Sequence, residues 1–211
     1  EIIYFKTVTP NDNGSFTLST LIRGARGTEA KCYTHTGGER GIIVTKAIKN
    51  ELESFQTIGK EIKFRAFSAA TAQALAPYDT ITFNANSHRP WAPVNFRRTD
   101  NVDTSLTISW CRRTRYGGAL RDGTDVIPVN EEALEFEVYI LPGAYTDAFD
   151  PTDAAQYLLK LTPTVETVTL TSTQVTELGL TNMVHVVVYQ ISASVGRGFP
   201  GYADLPRLLG S

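Results

Sequence analysis

Few residues in this chain have the types and the spacing that catalysis or metal binding requires. Cys32 and His35 are separated like a pair of metal ligands, but a zinc site needs three or four ligands. The other histidines, His88 and His185, lie far away in the sequence. The sequence therefore predicts no metal site, and Cys32 and Cys111 are expected to be unpaired thiols.

Two further patterns do not fit the chemistry they resemble. Glu131 and Glu132 are adjacent, so on a strand they point to opposite faces, whereas a glycosidase needs two carboxylates in one cleft. The Gly-x-Gly-x-x-Gly string at 196–201 has the spacing of a dinucleotide-binding loop, but the segment 202–206 does not read as the helix such a loop requires. No nucleophile elbow, Walker loop or zinc-protease motif occurs, so we expect no enzyme and no cofactor.

Three aspartates, Asp147, Asp150 and Asp153, are spaced three residues apart, which invites comparison with a calcium loop. Their neighbours favour the start of a helix instead. Asp150 is suited to the N-cap, Pro151 to the first helical position and Asp153 to the first turn. The sequence therefore predicts a helix beginning here rather than a calcium site.

A cluster of arginines follows a strand-like run at 105–110, and glutamates precede and enter the next run at 135–140. If the two runs are antiparallel neighbours, these charges face each other as a ladder, worth a few tenths to about 1 kcal/mol per pair. We favour this over a phosphate or nucleic-acid patch, because the net charge of −2 provides no attracting field. The ladder would contain Arg112, Arg113, Arg115, Glu131, Glu132, Glu135 and Glu137.

The runs at 105–110 and 135–140 alternate apolar and polar residues, the pattern of half-buried strands. Both would contribute to two sheets that enclose the indole of Trp110, which predicts a β-sandwich. The longest β-like run, 183–194, places alternate residues on one face of a further inner strand. The predicted core consists of Leu106, Ile108, Trp110, Phe136, Val138, Ile140, Val187, Tyr189 and Ile191.

The rest of the chain predicts an all-β protein with little helix, in two domains. Residues 1–88 form a small β-rich domain, with a hairpin of 2–8 and 15–22 around a turn at 10–14. Further strands are predicted at 42–48, 60–67 and 78–85, and a helical turn or two at 68–76. Two prolines in 86–93 mark the boundary with the sandwich domain, 89–211.

Within the second domain, 165–170 and 202–205 read as strands, and 172–178 as a helical turn ended by Gly179. The run 157–161 fits either a continuing helix or a short edge strand. No window approaches about 18 consecutive apolar residues, so no membrane insertion is expected. Since Met183 is the only methionine, we expect residue 1 to be an internal position of a longer polypeptide.

Several aromatic residues are candidates for contact with a partner. Trp91 lies between Pro90 and Pro93, where it either plugs the end of the sandwich or stacks on a sugar. Exposed Trp91, Tyr116, Phe199 and Tyr202 would suit a carbohydrate- or receptor-binding module at the cell surface, which is our alternative function.

The second domain resembles a fibronectin type III module. The resemblance consists of Pro90 and Pro93 at the entry, Trp110 on an early strand, the inner strand 136–140, and a long late strand followed by Gly-x-Gly-x-Pro. That family usually has a tyrosine at the start of the late strand, where this chain has Val187.

Three motifs in order also resemble the C-terminal part of the large hub or tip proteins of long-tailed bacteriophages and gene transfer agents. They are Leu-Ile-Arg-Gly-Ala-Arg-Gly-Thr-Glu at 21–29, Ile-Ser-Trp-x-Arg-Arg-Thr-Arg at 108–115 with Gly-Gly at 117–118, and the Val-Gly-Arg-Gly-Phe-Pro segment at 195–200 after Tyr-Gln-x-Ser. The resemblance implies a virion component at the distal end of the tail, made in the bacterial cytoplasm, with three copies around the tail axis.

On this resemblance we expect a structural and interaction module that contacts other tail or baseplate subunits and possesses loops for assembly or for contact with a host glycan or receptor. We expect no nucleic-acid partner. The loops expected to meet neighbouring subunits are 23–28 and 116–124. Their candidate contact residues are Arg23, Arg26, Arg115, Tyr116 and Arg121.

Overall fold

The computed structural model describes residues 1–25, 28–32, 34–44, 55–66, 76–114, 129 and 131–207. The chain divides into two compact units, Glu1–His88 and Arg89–Ser211. Within the described residues the structure is mostly β-strand, with one short α-helix, α1 (Ser172–Glu177). The predicted all-β class is confirmed.

The first unit contains two separate two-stranded antiparallel sheets among its described residues. β1 (Tyr4–Pro10) and β2 (Phe16–Ile22) form the predicted hairpin, and β3 (Glu61–Phe64) pairs with β4 (Asp79–Thr82). Short 3₁₀ helices lie at Glu29–Lys31, Phe55–Thr57 and Asn86–His88. Residues 42–44 of the predicted strand 42–48 are not in a strand; the remainder of that strand, and 68–75 of the predicted helical turns, lie outside the described residues.

The described strands of the second unit are β5 (Val94–Asp100), β6 (Leu106–Cys111), β7 (Phe136–Leu141), β8 (Leu159–Leu161), β9 (Thr167–Leu170), β10 (Met183–Ser192), β11 (Gly196–Arg197) and β12 (Gly201–Pro206). They form two antiparallel sheets. The smaller has the order β5-β6-β9, and the larger has the order β8-β7-β10, with β11 and β12 also pairing with β10.

The main core lies between these two sheets. Trp110 of β6 is 4% exposed, and its ring meets the ring of Phe136 of β7 edge-on, with centroids 5.3 Å apart. Leu106, Ile108, Val138 and Ile140 are fully buried in the same cluster. Two sheets thus enclose one indole, and the predicted fibronectin type III-like sandwich is confirmed.

The strand pairing assumed for the predicted charge ladder is wrong, because β6 and β7 belong to different sheets. β6 pairs with β5 and β9, whereas β7 pairs with β10 and β8. Arg112 forms an ion pair with Glu166, next to β9, and Arg113 donates a hydrogen bond from Nε to the carbonyl of Ala92 at 2.8 Å. β6 and β7 are consecutive in the sequence, but they face each other across the core instead of pairing.

The predicted core requires a correction at β10, which is apolar on both faces. Val184, Val186 and Val188 pack in the Trp110 core. Val187 and Tyr189 are buried in a second cluster on the opposite face, against which Ile191 is partly buried. These three residues belong to a second layer because successive strand residues point to opposite faces of the sheet.

Two local predictions also differ from the structure. The helix expected from Asp150 is only a 3₁₀ turn at Ala154–Gln156, with Asp153 as N-cap accepting from the amide of Ala155. Asp150 instead accepts from the amide and hydroxyl of Thr152, and the chain then enters the edge strand β8. The helical turn at 172–178 is confirmed as α1, which begins with a capping box of Thr171 and Gln174.

Candidate assembly interface

The β1–β2 hairpin presents an exposed apolar face. Tyr4 is opposite Ile22, Val8 is opposite Leu18 and Pro10 is opposite Phe16. Residues directly opposite each other in an antiparallel pair point to the same side. We call the resulting surface the hairpin apolar face; its members are between 41% and 66% exposed and comprise Tyr4, Val8, Phe16, Leu18 and Ile22.

The hairpin has no buried residue in either strand, and its sheet has only two strands in the described part of the chain. An isolated two-stranded hairpin is marginally stable in water. Burying one aliphatic or aromatic side chain contributes about 1.5–3 kcal/mol, so five half-exposed ones offer on the order of 5 kcal/mol before the entropic cost of association. The hairpin apolar face is therefore suited to a contact with another surface.

A carboxylate cluster fixes the base of the hairpin. The Glu1 carboxylate is enclosed by Arg23 Nη2 at 2.6 Å, the Gly24 amide at 2.8 Å and His35 Nε2 at 2.9 Å. The hydrogen bonds from Arg23 lower the pKa of Glu1 to about 2, so the carboxylate is charged near neutral pH. Arg23, predicted to contact a neighbouring subunit, is thus engaged within its own unit.

Gly24 is the residue that allows this cluster to close. Its φ is +64°, and a Cβ at this position would lie 2.8 Å from both the Cys32 sulfur and the Glu29 Cα. A side chain would meet both backbone strain and a steric clash here. Gly24 of the first sequence motif is therefore required because the base of the hairpin closely approaches the 3₁₀ turn at 29–31.

The other predicted assembly residues lie outside the described part of the chain. They are Arg26, Arg115, Tyr116 and Arg121, together with the whole of the loop 116–124. Their role stays a prediction from the sequence.

The three predicted contact aromatics that lie among the described residues have different surroundings. Trp91 is half-buried, with the guanidinium of Arg113 5.5 Å from its ring centre. Phe199 is half-buried under Arg89, at 4.8 Å, and Arg89 also donates to the carbonyls of Arg197 and Gly198. Tyr202 is exposed and stacks on Tyr145.

Sequence reasoning missed a polar network on the outer face of the larger sheet. Glu137 accepts a hydrogen bond from Arg197 Nε and another from Lys160 Nζ, both at 2.7 Å, and the Tyr139 hydroxyl donates to it at 3.0 Å. Burial acts to raise the pKa of Glu137, but these bonds outweigh it and the pKa lies below its usual range. The alternation of 135–140 could have identified Glu137 as outward-facing, but not its partners.

The described residues contain no group of three or more histidines, cysteines, aspartates or glutamates able to hold a metal ion. Among these same residues no helix has the length and apolar character needed to span a bilayer.

Comparisons with known proteins show similarity to a protein-family model and to solved structures. A protein-family model described as "Rcc01698-like, C-terminal" matches residues 1–42, which include the hairpin and the carboxylate cluster. The crystal structure of the rat CD45 extracellular region, domains d3-d4, is similar with a TM-score of 0.35 and 10% identity, over 95% of this chain and 94% of that chain. A search of curated proteins finds no match to this chain.

Proposed function

We propose that this chain is a structural and interaction module of a phage-type tail tip or baseplate hub protein. In this proposal the first unit joins neighbouring subunits through the hairpin apolar face. The sandwich is a rigid support that presents its loops to other subunits or to the host surface. The protein is made in the bacterial cytoplasm and resides at the distal end of the assembled tail.

The hairpin apolar face is the observation on which the proposal rests. The same chain buries the inward-facing residues of β6 and β7, so it builds a core where two of its sheets face each other. Unpaired strand edges and exposed apolar faces are features that stable monomers avoid. In the described part of the chain the hairpin shows both, and a partner in the assembled particle would explain them.

The three ordered sequence motifs support the hub assignment. The first motif, 21–29, contains the end of β2 and Gly24, where the backbone requires glycine. The family-model match covers the region of this motif and ends at residue 42. Three copies around the tail axis remain the expected arrangement, and the mass of the protein in solution would test it.

The test compares two neighbouring lysine substitutions made in the protein as it is assembled into the particle. Leu18→Lys places a charge on the hairpin apolar face, whereas Ser19→Lys places the same charge on the opposite face of the same strand. Both side chains are exposed, so both variants should fold as the natural chain does. We expect Leu18→Lys to reduce incorporation into purified particles at least about tenfold, and Ser19→Lys to incorporate normally.

Equal incorporation of both variants would contradict the use of this face. Cryo-microscopy of the parent particle that places the chain outside the tail would contradict the hub assignment itself.

A further inference from the structure

A stacked pair of tyrosines forms an exposed platform on the outer face of the sandwich. Tyr202 of β12 is 58% exposed, and its ring lies on that of Tyr145 with a centroid separation of 4.4 Å and an interplanar angle of 21°. One ring face of Tyr202 is thereby covered. The exposure of the residue leaves the other accessible to a ligand.

The platform is held rigidly from behind. The half-buried ring of Tyr145 meets Phe149 edge-on at 6.1 Å, and Phe149 meets the fully buried Tyr139 at 5.5 Å. These contacts hold Tyr145 in place. The protein would therefore lose little side-chain entropy when a ligand stacks on Tyr202.

Polar groups lie beside the platform on the same face of the sheet. Asp204 is two residues beyond Tyr202 on β12, so their side chains point the same way about 7 Å apart along the strand. His185 is directly opposite Asp204 on β10, and its Nδ1 lies 2.6 Å from Asp204 Oδ1. Asp147 is close enough to Tyr145 to act on its pKa, which adds a second negative charge to this surface.

We propose that Tyr202, Asp204 and His185 form a binding subsite for a neutral pyranose of a glycan. The C–H bonds on one side of a pyranose ring pack against the negative face of an aromatic ring. The carboxylate and the imidazole accept and donate hydrogen bonds to the sugar hydroxyls. The aspartates repel carboxylated sugars, so a neutral sugar is favoured. This subsite is independent of the assembly role of the hairpin.

A cationic ligand fits this geometry less well. Quaternary and alkyl ammonium groups bind most tightly in cages that offer several ring faces. Here the stacked pair offers a single flat face with hydroxyl-binding groups at one side. A sugar ring matches both features, and cation binding becomes an outcome of the test.

The test is saturation-transfer NMR of the intact chain with maltotriose, cellotriose, tri-N-acetylchitotriose, sialyllactose and tetramethylammonium. We expect saturation of the ring protons of at least one neutral trisaccharide, with weaker transfer to sialyllactose. Tyr202→Ala should weaken binding about tenfold, Tyr202→Phe should retain it, and Asp204→Asn should weaken it several-fold. Tyr78→Ala is the matched control, since Tyr78 is a 57% exposed tyrosine of the first unit.

Three results would overturn the subsite. These are no transfer to any neutral sugar, equal binding by the natural chain and Tyr202→Ala, and transfer to tetramethylammonium alone. None of them bears on the incorporation of the Leu18→Lys variant, so the two proposals fail separately.

Discussion

The hairpin β1–β2 and the strand pair β6 and β7 have similar sequence patterns and opposite environments. Each contains period-two runs that place several large apolar side chains on one face. On β6 and β7 these side chains are buried between two sheets, whereas on the hairpin all of them are exposed. The sequence pattern thus specifies which face is apolar but not what covers it.

The difference has a topological origin. β6 and β7 lie in different sheets, so their apolar faces meet, and the residues that close the core come from the same unit. The two hairpin strands lie in one sheet, so their apolar residues lie side by side and point the same way. A single sheet needs a second layer, which on the hairpin our proposal expects from a neighbouring subunit.

The largest expected effect is the loss of the buried indole. Trp110→Ala should lower the free energy of unfolding of the second unit by about 3–5 kcal/mol, because it empties the centre between the sheets. Urea denaturation monitored by circular dichroism would measure it. Val102→Ala, at a fully exposed position in the same unit, should leave the midpoint unchanged. Equal midpoints for the Trp110→Ala and Val102→Ala variants would contradict the burial of the indole between the two sheets.

An intermediate effect is expected at the outer network of the sandwich. Glu137→Gln removes a carboxylate that accepts bonds from Arg197 and Lys160, which should cost about 1–2 kcal/mol at pH 7 after solvent screening. The pKa of Glu137 is lowered in the folded protein, so its stabilisation is present above the unfolded value of about 4.3 and is lost as the pH falls below it. The gap between the natural chain and the variant should therefore close at acidic pH.

Urea denaturation at a series of pH values would follow that gap. Glu135→Gln, at an exposed position just before β7, is the control and should show no such convergence. A gap that is constant with pH would show that the carboxylate charge is not the source of the stabilisation.

The smallest expected effect tests the exposed side of the comparison. Phe16→Ala should change the free energy of unfolding of the isolated chain by less than about 0.5 kcal/mol, since this ring has no core around it. Phe136→Ala, the same substitution in the sandwich, should cost about 3–5 kcal/mol. Similar losses for the two phenylalanines, measured by thermal unfolding, would mean that the hairpin apolar face is already covered in the isolated chain.

The sequence predicted the strands whose alternation is regular and missed those whose alternation is broken. β6, β7 and the hairpin were recognised from period-two patterns. β5 was not predicted, because its register shifts between Val94 and Arg97 and Asn95 has a φ of +58°, which interrupts the pattern. The two faces of β10 were not separated, because the strand is apolar at both odd and even positions.

The candidate sites depend on contacts that sequence spacing does not reveal. The first motif contains Arg23 and Gly24, but their partner Glu1 is more than twenty residues away. Arg197 was noted only within a glycine-rich string, and its contact with Glu137 spans 60 residues. The aromatic candidates were recognised by type, and only the structure distinguished the arginine-covered Trp91 and Phe199 from the exposed Tyr202.

The longest strand, β10, contributes alternate side chains to both hydrophobic layers of the second unit. A substitution there disturbs one layer at a time, but the insertion or deletion of a single residue would exchange the two sets of side chains at once. The length of this strand is consequently more constrained than the identity of any single residue in it.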